Sequence, residues 1–128
     1  DMIGAGVASF SHVGGMHFQN APRWAEYLDP ISRGELPLFR AFAPTEEERL
    51  TRELILQLKT GRVATAAFQG KFGVDILVRF GDALKKLESE GMLTLAPDAI
   101  SLTHDGLLRA DSLLPEFYDP KYQGARYT

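Results

Sequence analysis

Apolar positions recur along this chain at short spacing near its start and at helical spacing further on. The run Met2-Ile3-Gly4-Ala5-Gly6-Val7-Ala8-Ser9-Phe10-Ser11-His12-Val13 mixes apolar and small residues and ends at Gly14-Gly15, which predicts a strand centred on residues 3–11. Residues 14–19 read as a loop. Asn20 is placed as the N-cap of a following helix, with Pro22 just inside it, where a missing N–H costs little. Trp24, Leu28 and Ile31 give that helix one apolar face, Pro30 kinks or divides it, and Gly34-Glu35-Leu36-Pro37 ends it. Segment 35–44, bounded by Pro37 and Pro44, is an extended connector.

Thr45-Glu46-Glu47-Glu48 has the form of a capping box and opens the clearest helix, 45–59. Leu50, Leu54, Ile55 and Leu58 form its apolar stripe, and Gly61 follows as a C-terminal stop. No single period dominates 62–74. A second helix is predicted over 75–90 from Ile76, Leu77, Phe80, Ala83, Leu84 and Leu87, with Gly91 ending it. Met92–Leu95 and Ala99–Thr103 alternate around Pro97-Asp98 as a hairpin. A last short helix covers 104–114, Pro115 ends it, and the polar tail from Asp119 is expected to fray.

Composition narrows the function classes. The chain has 128 residues, 45% hydrophobic and 24% charged, enough for one folded core and unlike a disordered segment. A net charge of −3 offers no broad basic surface for phosphate contact, which counts against nucleic-acid binding. No apolar run approaches the ~20 residues of a membrane span. Cysteine is absent, so this chain forms no disulfide and ligates no cysteine-held iron–sulfur cluster, and a reducing cytoplasm is the expected compartment.

The order of several segments then resembles a known family. Gly4-Ala5-Gly6-Val7-Ala8-Ser9-Phe10-Ser11, with Gly14 and the Gln19-Asn20 pair, is similar to the last barrel strand and following loop of oxygen-independent coproporphyrinogen III oxidases. Gly34-Glu35-Leu36-Pro37 resembles their connector. Phe72-Gly73-Val74-Asp75, Phe80, Leu84, Leu87, Gly91-Met92-Leu93, Leu102-Thr103 and Gly106-Leu107-Leu108 resemble their C-terminal domain. Together these cover residues 2 to about 118.

The resemblance implies an α+β fragment of a larger radical S-adenosylmethionine enzyme. Residues 1–34 would end a partial (β/α) barrel, 35–44 connect, 45–118 form a winged-helix-like C-terminal domain, and 119–128 be a flexible tail. The parent would carry a [4Fe–4S] cluster and S-adenosylmethionine on an N-terminal barrel missing from this chain. Its radical would take hydrogen from a propionate of a tetrapyrrole-like substrate, with loss of CO₂ leaving a vinyl group. The isolated chain would be inactive, holding no metal and no catalytic residue, and would help to complete and cap the site. Phe10 is implied to line the S-adenosylmethionine region, although the family's usual residue there is aliphatic. His12 and Gly14-Gly15 also depart from the oxidase pattern, which favours a paralogue with another substrate. A related methyltransferase or an anaerobic haem-degrading enzyme are the neighbouring chemistries.

Several residues carry two readings. Gly4 and Gly6 let backbone approach either a cofactor or a neighbouring strand. His12 and His17 are acid–base or metal-ligand candidates, or loop histidines bonded to backbone. With Gln19 they are the polar groups best placed after the strand to reach a substrate. Arg23, Arg33 and Arg40 could bind carboxylates or remain solvated. A winged-helix DNA-binding module is the alternative of another class, disfavoured because 75–90 mixes Arg79, Lys85 and Lys86 with Asp75, Asp82, Glu88 and Glu90. A strand at 3–11 with an open edge would also allow pairing with a second copy.

Overall fold

A computed structural model describes residues 1–120. The chain divides into two compact units, the first running from Asp1 to Arg49 and the second beginning at Leu50. The fold class is α+β, with one small antiparallel sheet in each unit.

In the first unit, β1 (Phe10–Val13), β2 (Met16–Asn20) and β3 (Leu38–Phe42) form an antiparallel sheet in that order, and α1 (Trp24–Ser32) lies between β2 and β3 in the chain. Gly14 and Gly15 both take left-handed backbone, φ 58° and 79°, as a two-residue hairpin turn requires. The segment expected to be a loop, 14–19, is therefore a turn followed by β2. The strand expected over 3–11 is also corrected, because only Phe10–Val13 is strand. Gly6 at φ 107° and Ala8 at φ 58° leave the extended region and fold residues 4–9 into a loop. Met2 alone pairs with the outer edge of β1, through an isolated bridge to His12.

Asn20 does not cap the helix. It ends β2, and α1 starts at Trp24 after Arg23, with no side-chain cap bond. Pro30 does not divide α1, which ends two residues later at Ser32. None of the α1 residues is buried, and Trp24 remains 66% exposed. Segment 35–44 contains β3, which joins the sheet through β2.

Helix α2 (Glu46–Leu58) carries the boundary between the units. Its capping box is formed: the Glu48 N–H donates to Thr45 Oγ1 at 3.2 Å, and the Thr45 N–H to Glu48 Oε2 at 2.8 Å. Segment 62–74 resolves into β4 (Arg62–Ala64) and α3 (Thr65–Phe72). Next come α4 (Ile76–Arg79), α5 (Gly81–Ser89), β5 (Leu93–Ala96), β6 (Ala99–Leu102), α6 (His104–Leu108) and α7 (Ala110–Leu113), then a 3₁₀ turn over Leu114–Phe117. The sheet order is β4-β6-β5, with the expected hairpin supplying β5 and β6.

Two helices expected to be continuous are broken. The 75–90 helix divides at Phe80, whose backbone leaves helical geometry (φ −110°, ψ 20°) while its ring packs edge-on against Phe117 at 5.8 Å. The 104–114 helix divides at Arg109 (φ −113°, ψ 12°). The core of this unit collects Leu54 and Leu58 of α2, Val63 of β4, Phe68 of α3, Ile76, Leu84 and Leu87 of α4 and α5, and Ile100 of β6. Gly106 is required where α6 passes Met92, the residue before β5, because a Cβ there would overlap the Met92 carbonyl oxygen. The frayed tail expected from Asp119 falls mostly outside the described residues.

Candidate functional site

Successive side chains in a strand point to opposite faces, and residues paired across strands share a face. The register pairs Phe10 with Gln19 and His12 with His17, then His17 with Phe42 and Gln19 with Arg40. Phe10, His12, His17, Gln19, Arg40 and Phe42 therefore share one face of the first sheet. Four of these were candidates from sequence, and Arg40 was one of three candidate arginines.

His12 directs its backbone away from β2. Its N–H donates to the Met2 carbonyl at 2.8 Å and its carbonyl accepts from the Met2 N–H at 2.7 Å. His12 and His17 thus form a non-hydrogen-bonded pair, the closer of the two antiparallel pair types. Their ring centroids are 4.7 Å apart and the planes are tilted by 51°. Gln19 Oε1 accepts from Arg40 Nε at 2.6 Å, which ties the guanidinium to the Gln19 side chain on this face. Phe10 is 57% exposed and presents its ring to solvent at the other end of β1. The face thus combines a cation, an amide, two imidazoles and two phenyl rings, a set suited to a flat, partly apolar ligand with carboxylate groups.

Gly4 and Gly6 lie in the loop that precedes this face. A Cβ on Gly4 would overlap the Phe10 carbonyl oxygen, and Gly6 holds φ 107°, so the folding of the loop itself requires glycine at both positions. Asn20, 8% exposed, braces the loop by donating from Nδ2 to the Gly4 carbonyl at 3.2 Å and the Gly6 carbonyl at 3.1 Å. The Gly6 N–H donates to the Tyr27 hydroxyl at 3.0 Å, and the Gly4 N–H to Ser11 Oγ at 3.1 Å. Sequence reasoning missed these roles of Asn20 and Tyr27. The available signal for Tyr27 was its polar tip at position 27, inside the otherwise apolar 24, 28, 31 stripe of α1.

Arg23 and Arg33 do not join the face. Arg23 pairs with Glu26 at 3.0 Å, and Arg33 with Asp29 at 2.6 Å and Glu35 at 3.0 Å. Hydrogen bonds donated to Glu35 and then to Asp29 raise the Arg33 guanidinium above its ordinary pKa. In the second unit, Lys86 is held by Glu116 at 2.5 Å and Glu88 Oε1 accepts from the Leu95 N–H at 3.0 Å.

Among the described residues no group of three or more His, Cys, Asp or Glu side chains could hold a metal ion. Without cysteine, this chain does not fit an iron–sulfur cluster. No described helix is long and apolar enough to cross a membrane.

Residues 45–109 match the family model of the HemN C-terminal domain. An oxygen-independent coproporphyrinogen III oxidase of Pseudomonas aeruginosa is 25% identical over 134 residues, covering 100% of this chain and 29% of that protein. The heme chaperone HemW of Bacillus subtilis is 29% identical over 116 residues, covering 90% of this chain and 31% of that protein. The solved coproporphyrinogen III oxidase (HemN) of Escherichia coli, a radical SAM enzyme, superposes with a TM-score of 0.78 at 22% identity, over 90% of this chain and 27% of its own, so the two share a fold. The chain thus spans less than a third of the length of these relatives.

Proposed function

Because the chain belongs to the HemN C-terminal domain family, we propose that it is the C-terminal part of an oxygen-independent coproporphyrinogen III oxidase-like radical S-adenosylmethionine oxidoreductase. The observation that carries this reading is the extent of the similarity: the oxidase alignment runs over 100% of the chain, well beyond the matched residues 45–109. In this reading residues 1–34 are the end of a partial barrel, 35–44 connect, and 45–118 form a winged-helix-like domain. The order α2, α4–α5 and the β5–β6 hairpin, with β4 as third strand, supports the winged-helix description.

With cluster and S-adenosylmethionine held by the intact polypeptide, the chemistry supplied is hydrogen-atom abstraction leading to oxidative decarboxylation of propionate side chains. The contribution of this chain is to bind and to shield. Phe10 packs against the S-adenosylmethionine region, and Arg40, oriented by Gln19, receives a substrate carboxylate. His12 and His17 offer donors or acceptors beside it. Closing the pocket with these groups excludes water from a reactive intermediate. The same reading assigns a cytoplasmic location.

The test is anaerobic reconstitution of the intact gene product with iron, sulfide, reductant, S-adenosylmethionine and coproporphyrinogen III. Formation of 5′-deoxyadenosine together with vinyl-bearing product supports the reading, and the 128-residue chain alone should give neither. An intact product that takes up no cluster would overturn it. A second reading, haem handling without decarboxylation, is favoured by the 29% identity to the heme chaperone. Hemin binding and transfer by an intact product that leaves coproporphyrinogen unchanged would select it.

A further inference from the structure

We propose that His12 and His17 form a two-imidazole site for a copper ion. The pairing that closes the β1–β2 hairpin creates this site, since five residues along the chain become direct cross-strand neighbours. They occupy the non-hydrogen-bonded kind of pair, in which side chains approach most closely and leave the same face. An ion at ~2.0 Å from one nitrogen of each ring would place the ring centres about 5 Å apart. The rings are 4.7 Å apart, close to that separation.

The backbone that aims both imidazoles is fixed independently of any ligand. His12 is bonded to Met2 on one side, His17 pairs with Phe42 on the other, and the turn is set by two left-handed glycines. Both histidines are only partly buried, so an ion can reach them from solvent.

Two observations select copper. Neutral imidazoles with open remaining positions bind divalent first-row ions in an order that peaks at Cu²⁺, above Ni²⁺ and Zn²⁺. The row across the sheet also reads Met2, His12, His17, Phe42, which puts a residue with a soft thioether next to the pair. A thioether adds nothing for Zn²⁺ but suits reduced copper. The site uses the same imidazoles that the proposed function sets beside a substrate carboxylate, but it is argued from the β1–β2 register alone and does not depend on that reading.

The experiment is titration of the 128-residue chain with Cu²⁺, followed by calorimetry and by electron paramagnetic resonance, which reports coordinating nitrogens. The expected result is one ion per chain with two imidazole nitrogens. His12→Gln and His17→Gln should each weaken binding about a hundredfold, because losing one arm removes the advantage of intramolecular closure. His104→Gln, which alters the remaining histidine at the start of α6, should leave affinity unchanged. Amide exchange at Ser11 and Phe18, which face each other across β1 and β2, checks that each variant keeps the sheet, and His12→Phe retains a ring against His17 if the glutamine variant does not fold. Folded His12 and His17 variants that bind like the unaltered chain would overturn the proposal, as would loss of binding in His104→Gln.

Discussion

Replacing Asn20 is the sharpest probe of how the loop before the candidate face is held. Asn20→Ala removes two side-chain hydrogen bonds, to the carbonyls of Gly4 and Gly6. At about 1 kcal/mol for each bond, the expected local loss is about 2 kcal/mol. Asn20→Asp keeps the shape but replaces the donor with a carboxylate facing two carbonyl oxygens, so it should cost more than alanine at neutral pH. Lowering the pH into the carboxyl range should recover part of that loss, since a protonated carboxyl can donate to one carbonyl.

The assay is residue-resolved amide exchange. The amides that report the loop are Gly6, bonded to Tyr27, Ala8, whose N–H donates to the Ala21 carbonyl at 3.0 Å, and Asn20, whose N–H donates to the Ser9 carbonyl at 2.9 Å. Their protection should fall about thirtyfold in Asn20→Ala, the equivalent of the local loss. Amides of α5, in the second unit, should not change. Equal protection in Asn20→Ala and the unaltered chain would refute the bracing role. Asn20→Asp milder than Asn20→Ala at neutral pH would refute the donor assignment.

Further outcomes follow from the second unit. Leu54→Ala, at a fully buried position of α2, should lower unfolding free energy by about 3 kcal/mol in denaturant titration. Gly106→Ala should cost about 2 kcal/mol through its overlap with the Met92 carbonyl, and should disturb β5 amides before those of α3. The Glu53 carboxyl is held below its ordinary 4.5, first by the Gln57 hydrogen bond and then, against some burial, by Lys71. A lowered pKa in the fold means that its stabilisation is complete above pH 4.5 and is lost as pH falls through the depressed value. Acid titration should show this as under ~1 kcal/mol, removed by Glu53→Gln.

The chain from Thr45 onward was the more legible in sequence. Thr45 and Glu48 cap α2 as their spacing implies, and the alternation around Pro97-Asp98 gives β5 and β6. What failed there depends on distant partners. Strand β4 has only three residues and exists through pairing with β6, and the apolar period runs through Phe80 although its ring turns toward Phe117. In the first unit the errors share one cause. Gly6 and Ala8 bend a segment whose composition is that of a strand, and Gly14-Gly15 closes a hairpin whose second strand, Met16–Asn20, has only Met16 and Phe18 as its apolar positions.

The candidate residues themselves were visible as residue types. That Phe10, His12, His17 and Gln19 share a face with Arg40 follows from register alone, which no single segment encodes. The brace from Asn20 stayed hidden because an asparagine two residues before a proline reads more readily as a helix cap than as a buried donor.

The most direct test of the proposed role is to remove Asp1–Thr128 from the intact polypeptide and measure 5′-deoxyadenosine formed in the presence of coproporphyrinogen III. Iron–sulfur absorbance should persist, because this segment has no cysteine, while substrate-dependent 5′-deoxyadenosine should fall to background. A shortened protein that keeps its cluster and turns over at the full-length rate would contradict the account.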